Sequence, residues 1–537
     1  MTRALKSLGI LFVLFTLAAP GVCAAPQQVT LLHVNDTHSH LAAWGPKDAN
    51  LDGTLGGVAK AAAIIGAQKT TNPNALFVHG GDLMNGDLFF NEYLGVPEFR
   101  LLQQVGLDVF VPGNHEFQYG PEFLAGVLDF TWPGGAGGVP IVATNIDVSG
   151  YPALGLWMTP TVVKDAGGVK VGFFGLTTPS DALARPAPVV IRADLADVAA
   201  GAVAKLRADG AQVIVGVAHV GLDVSRDIAA AVPGIDVIVN GHDHVALLEP
   251  ESVERPDGGT TLIVSAGEYY RWVGRLTLSV EGDAVSLVDY ELLSAGASAP
   301  AVPEVQAVVE ALQAGIVERY GDVYHQQLAI ADRAILENWD ARHAKRDTAL
   351  GDLFTDAYRD CGHTEIAIEA LGFLDEGMPA GPIVGADVFR SMAYGIPQAA
   401  PTGGYIVRPF RLATFSLYGG ELLGALEYAL ASGRDLFPQV SGLRLEFDST
   451  RAPGSRLLVE TVRVGDQPIS PSRLYTITGN EGLVMFLAEL GLTPHDVQWL
   501  DVSAFDAARA LVQARGALGP VVTGRIRDVA AIPGKTK

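Results

Sequence analysis

The sequence predicts an α/β protein built in two parts, and three observations carry that reading. Short β-branched runs alternate with Ala-rich, helix-like stretches from Gln28 to about Leu293, and a break rich in Ala, Ser and Pro follows at Ser294–Pro303. A second α/β pattern then runs from about Gln326 to Val529. A chain of 537 residues also exceeds what one hydrophobic core usually organises. With 49% hydrophobic and 18% charged residues, it has ample apolar surface to bury and no compositional case for disorder. Asp and Glu number 59 against 37 Lys and Arg, and the net charge of -22 repels polyanions, so a nucleic-acid polymer is not an expected partner.

The elements follow in chain order. Met1–Ala24 places Arg3 and Lys6 before a 12-residue apolar run, Leu8 to Ala19, and small residues after it. The run suits a secretory signal and is too short to span a bilayer. The mature chain is therefore expected to begin at Ala25, to lack a membrane span and to work in the periplasm or outside the cell. Cys361 is then its one cysteine, so disulfides and multi-cysteine zinc sites are excluded. Metal chemistry would have to use carboxylates and the 12 histidines. A first domain is read over 27–293 and a linker over 294–325. Val305, Val308, Leu312, Ile316 and Tyr320 predict a helix starting near Glu304, and a second domain occupies 326–530.

Five times in the first domain an apolar run of strand length ends in a turn with metal-binding side chains. Val29–Val34 leads to Asn35-Asp36-Thr37-His38, Ala75–Val78 to His79-Gly80-Gly81-Asp82, and Val109–Val111 to Pro112-Gly113-Asn114-His115-Glu116. Val213–Val217 leads to Ala218-His219, and Val237–Val239 to Asn240-Gly241-His242-Asp243-His244. Ligands of an open α/β sheet sit beyond the carboxyl ends of its strands, so these loops can meet in one crevice. Asp36, His38, Asp82, Asn114, His219, His242 and His244 are enough oxygen and nitrogen donors for two divalent cations sharing a carboxylate. His33 and His79 read as structural, and His40 as either structural or supporting. His325, His343, His363 and His495 read as ordinary.

These stretches resemble the calcineurin-like metallophosphoesterases, and more closely the secreted bacterial 5'-nucleotidase and UDP-sugar hydrolase family. The resemblance rests on residues 32–40, Gly80-Gly-Asp82, Gly113-Asn-His-Glu-Phe117, Val217-Ala-His219 and Gly241-His-Asp-His244. It implies a two-sheet sandwich flanked by helices, joined by a linker helix to an α/β substrate-binding domain. It also implies one metal held by Asp36, His38, Asp82 and His244, and another held by Asp82, Asn114, His219 and His242. Asp82 would bridge them, and a hydroxide shared by the metals would attack phosphorus. His115, with Asn114 beside it, matches the catalytic position. Zinc, manganese, cobalt and iron all accept such donors. The implied substrate is a small phosphomonoester, foremost a 5'-nucleotide, and a monomer is expected. A cyclic-nucleotide or nucleotide-sugar phosphodiesterase is the alternative within the enzyme class, and a weakly active metal-loaded binding protein the alternative outside it.

The chain departs from the family pattern in places. Gln118 stands where an Asp would pair with the catalytic histidine, so the imidazole lacks a charged partner there. In the second domain Phe437, before Pro-Gln-Val-Ser-Gly442, would offer a stacking platform for a base. Asp375 stands where a substrate-binding Arg is expected, and Asn480-Glu-Gly-Leu-Val-Met-Phe486 replaces the segment that carries the second stacking aromatic.

Overall fold

Two β-sheets lie face to face in the first domain because their strands are apolar on both sides. In the computed structural model, which describes residues 26–179, 184–282, 284–336, 346–399, 405–433 and 435–531, Val213–His219 is buried at every position. Its Val213, Val215 and Val217 point one way, into a core shared with Val29, Leu31, Val78 and Val109 of the opposing sheet. Its Ile214 and Ala218 point the other way, onto the helices Leu195–Ala208 and Leu222–Ala231. The first sheet likewise turns Leu32, Val34 and Phe77 toward helices, among them Val58–Thr71 and Val96–Val105. The result is helices, sheet, sheet, helices.

The strand order sets where the loops emerge. Gln27–Val34, Leu76–His79 and Val109–Phe110 are parallel neighbours in a seven-stranded sheet. Val213–His219 and Val237–Asn240 are parallel neighbours in a six-stranded one. As the family resemblance implied, there are two sheets, and the five loops come from both and meet at the seam between them. Asn35 ties that seam. Its Oδ1 accepts from the Ala266 N–H at 2.9 Å, and its Nδ2 donates to the Gly267 carbonyl at 2.6 Å and to Asp36 at 2.7 Å.

The strand Ala284–Ser294 precedes the helix Pro303–Tyr320, which buries Val305, Val309 and Ile316. Val308, expected on the buried face, is 42% exposed, because the helix turns its i, i+4 row through Val309 inward. The second domain is built on a five-stranded sheet in which Ile366–Ala370 and Arg411–Tyr418 flank Leu474–Asn480. Ala349–Gly362 packs on it, capped by the Thr348 side chain. Met1–Ala24, His343 and the Pro533–Lys537 end lie outside the described residues. Among the described residues, no helix is long and apolar enough to cross a membrane.

Buried ions dock the domains. Arg390 of the second domain meets Asp87 of the first at 2.5 Å, and Lys47 of the first meets Asp387 of the second at 2.6 Å; all four side chains are at most 3% exposed. Removing one member of such a set leaves its partner buried and uncompensated, at a cost of about 3 kcal/mol or more. Asp87 also caps the helix Leu88–Tyr93, a role Asn can keep. Asp87→Asn is therefore expected to lower the thermal unfolding temperature through lost charge, and an unchanged melting curve would contradict this account of docking.

Candidate metal centre

The loops at the seam are held in conformations that few side chains adopt. Asp36, His38, Asp82, His242 and His244 all have φ between 45° and 92°. Non-glycine residues in that region cost of order 1 kcal/mol or more each, and such costs concentrate at functional sites. Two glycines make room for the resulting crowding. A Cβ on Gly113 would stand 2.1 Å from Asp82 Oδ1, and one on Gly81, itself at φ 91°, would stand 2.6 Å from His219 Nδ1.

The structure brings all seven sequence-predicted donors together. Asp36, His38 and His244 each offer a ligand atom within 4.8 Å of the others, as do Asp82, His219 and His242. Asn114 stands with the second group, its Oδ1 3.1 Å from His219 Nε2 and 3.0 Å from His242 Nδ1. Asp82 lies between the groups, with Oδ2 2.9 Å from His219 Nε2 and 3.8 Å from His38 Nε2. His115 forms a third group with His38 and Asp82, and its ring meets His38 edge-on at 5.0 Å.

The donor chemistry fits cations. His219 Nδ1 sits 2.7 Å from the Gly80 carbonyl and must carry a proton to donate to it. A neutral ring then turns the Nε2 lone pair onto the oxygens of Asp82 and Asn114. Facing acceptors of that kind are held together only by a proton or a metal ion. Likewise His244 Nδ1 lies 2.7 Å from Glu268 Oε2, which directs its Nε2 toward His38 Nε2 at 3.1 Å.

Electrostatics make the same demand. Burial disfavours charge on His219, but Asp82 and Asp36 outweigh it and push the ring up to about 10. Burial is likewise outweighed at His244 by Asp36 and Glu268, which also raise that ring to about 10. Burial raises the Asp36 carboxyl to about 6 against the pull of His219 and His244. The pocket thus calls for positive charge.

Several supporting groups were not legible in the sequence. Glu116 follows the recognised Asn-His pair, and its carboxylate accepts N–H bonds from Asp82, Leu83, Met84 and Gly113, pinning two ligand loops together. Burial and then Asp82 push it up to about 7, and the N–H donors oppose that shift. Glu268 carried no signal, because it is remote in sequence from the ligand it orients. His79 joins Thr37 Oγ1 at 2.9 Å and the Gly81 N–H at 3.1 Å, so it braces two loops. His33 is stacked on Tyr290 and sits over Gly274, within the first sheet.

His40 does belong to the site's surroundings. Its Nδ1 is 2.8 Å from the His38 carbonyl, its Nε2 is 2.8 Å from Glu376 of the second domain, and its ring stacks on Tyr269 at 4.0 Å. Asp375, beside Glu376, is close enough to His244 to raise its pKa. The residue in the expected Arg position thus adds negative charge beside His244. His115 Nδ1 is 2.7 Å from Gln118 Oε1, so an N–H there donates to a neutral carbonyl. Phe437 requires a correction. Its ring is 6% exposed and packs against Phe447, so the core takes it up, while Leu436 and Pro438 on either side face the neighbouring cavity.

Known proteins share this organisation. The family model of the calcineurin-like phosphoesterases matches residues 29–246, and that of the 5'-nucleotidase C-terminal domain matches residues 329–485. A trifunctional nucleotide phosphoesterase of Bacillus subtilis is 26% identical over 557 residues; the alignment covers 95% of this chain, which spans 35% of that protein's length. A 5'-nucleotidase of Diplobatis ommata is 25% identical, with 87% of this chain and 83% of that one covered. The crystal structure of a 5'-nucleotidase precursor from Thermus thermophilus superimposes with a TM-score of 0.78 at 27% identity, covering 94% of this chain and 99% of that one. With both domain models matched in order and a solved relative superimposing along nearly its whole length, the chain belongs to the calcineurin-like phosphoesterases that carry a 5'-nucleotidase C-terminal domain, as a divergent member.

Proposed function

We propose that the chain is an exported, two-metal hydrolase of phosphomonoesters. The observation that carries this is the pair of donor groups on either side of Asp82, with His115 against both. Asp36, His38, Asp82 and His244 would hold one divalent cation, and Asp82, Asn114, His219 and His242 the other. Bound there, two such ions supply Lewis-acid polarisation of a phosphoryl oxygen and a water acidic enough to serve as nucleophile near neutral pH. Export is supported by the Met1–Ala24 segment. Kinship with 5'-nucleotidases supports a nucleotide as the first ester to assay.

The chain's own groups do the rest. Asp82 keeps the two donor groups in register, and Glu116 fixes the Asp82 loop through its backbone N–H groups. His115 stands at the edge of the centre, where its ring stabilises charge on the phosphoryl group and hydrogen-bonds the departing oxygen. Gln118 holds the His115 ring in one orientation. Being neutral, it does not favour the protonated ring as a carboxylate would. The second domain brings Tyr394 to 6.3 Å from His115.

Chelation is expected to abolish phosphate release from AMP and simple esters, and added Mn, Co or Zn to restore it. Elemental analysis should then find two metals per chain; saturation at one would contradict the shared-carboxylate reading. Gly113→Ala should push Asp82 aside and weaken metal binding by about 10- to 100-fold, read by calorimetry on protein whose circular dichroism is unchanged. Gln118→Asp should raise kcat on a simple phosphomonoester by about tenfold and carry the alkaline limb of the pH profile upward, since a carboxylate keeps His115 protonated to higher pH. An identical profile would remove Gln118 from the mechanism.

A further inference from the structure

Beside His115 a cavity of about 280 Å³ opens between the domains. Gln118, Tyr119 and Arg185 of the first domain form one wall, and the second domain supplies the rest, including Phe373, Phe410, Phe415, Leu426, Leu483 and Leu487. It adjoins the residues that pack around His115. Gln118 Oε1 is 2.7 Å from His115 Nδ1, and an aromatic chain runs from His115 to Tyr394 at 6.3 Å, to Phe373 at 5.9 Å and to Phe410 at 5.5 Å. The cavity therefore stands next to His115, separated from it by Gln118 and this aromatic packing.

Its lining is mainly apolar. Glu369 is the buried charged residue in the lining, and its acceptors are already engaged by Tyr358 Oη at 2.9 Å, Asn480 Nδ2 at 2.6 Å and the Ala370 N–H at 2.8 Å. Burial pushes its carboxyl up to about 8, so it stays largely uncharged at neutral pH. Two further charged residues line it: Arg185, which is exposed and donates to the Ala184 carbonyl at 3.2 Å, and Asp435, which is half-buried. The helix Glu481–Glu489 turns Leu483 and Leu487 into the cavity. Base edges and ribose hydroxyls buried there without partners would cost about 1–3 kcal/mol each.

We infer that this cavity receives the apolar alkyl or aryl group of a phosphomonoester, so that the preferred substrates are apolar phosphate esters rather than nucleotides. The inference rests on the hydrolytic reading above and narrows its substrate class. Metal-loaded protein should hydrolyse 1-naphthyl and hexyl phosphate with kcat/KM at least about tenfold above that for AMP. Ala429 lines the cavity from the half-buried side of a helix, so Ala429→Phe should fill it. That variant should lose about tenfold on 1-naphthyl phosphate and keep its rate on ethyl phosphate. Met485→Lys, at an exposed lining position, should act in the same direction if Ala429→Phe does not fold. Binding gives a readout apart from turnover: 1-naphthylmethylphosphonate should bind the parent protein in calorimetry and bind either variant about tenfold more weakly. Preference for AMP, or equal losses on naphthyl and ethyl esters, would overturn the inference. Absence of turnover on every ester would overturn the hydrolytic reading, and phosphonate binding that the variants do not weaken would overturn the cavity assignment.

Discussion

Everything at the seam depends on one buried carboxylate. Asp82 is 2% exposed and stands among His219, His38 and His115. Burial alone would protonate it, but His219 and His115 hold it well below the usual carboxylate range. A charge so placed is tolerated only while its partners stay in position. The His115 N–H donates to Asp82 Oδ1 at 3.0 Å, and Glu116 grips the Asp82 N–H from the same loop. Gly113 leaves no side chain where Asp82 must stand. The left-handed backbone at five of the seven donors is another consequence, since short turns must aim several side chains at one point.

The two sheets make that geometry durable. Their shared valine-rich core fixes the distance between the loops after Val34, His79 and Phe110 and those after His219 and Asn240. Asn35 then stitches the two sets of loops directly. Rigid strands carry the ligands to the seam, and the second domain closes on it through contacts of a different kind. Ion pairs at Asp87, Arg390, Lys47 and Asp387 are buried at the domain junction, and His40 links the loop of His38 to Glu376. Docking and ligand geometry are therefore coupled through a few side chains. In the same region the second domain offers an apolar cavity where the family resemblance would place a nucleotide.

What could be read from the chain alone was the local part of this arrangement. Strand-length apolar runs ending in Gly, Asn, Asp and His are a local signal, and all seven donors read from them converge in space. Gln118 was legible for the same reason, since it lies three residues from His115 and its carbonyl meets that ring. Glu268 was not, because its role depends on a loop more than 20 residues from His244 being folded beside it. Phe437 shows the opposite failure. A ring next to a strand can face a cavity or the core, and here Phe447 on the far side decided for the core.

The sequence by itself determined the α/β class, the two-part organisation and which strand-end residues converge at the seam, because strand periodicity and turn chemistry act over a few residues. Only the tertiary structure decided how the loops of the two sheets face each other, and which carboxylates orient their side chains. It also decided that Asp375 stands close to His244 and that the second domain presents an apolar wall. Those outcomes turn on which distant surfaces pack together, and apolar burial is non-directional, so the pattern of hydrophobic residues states that a face is buried without stating against what.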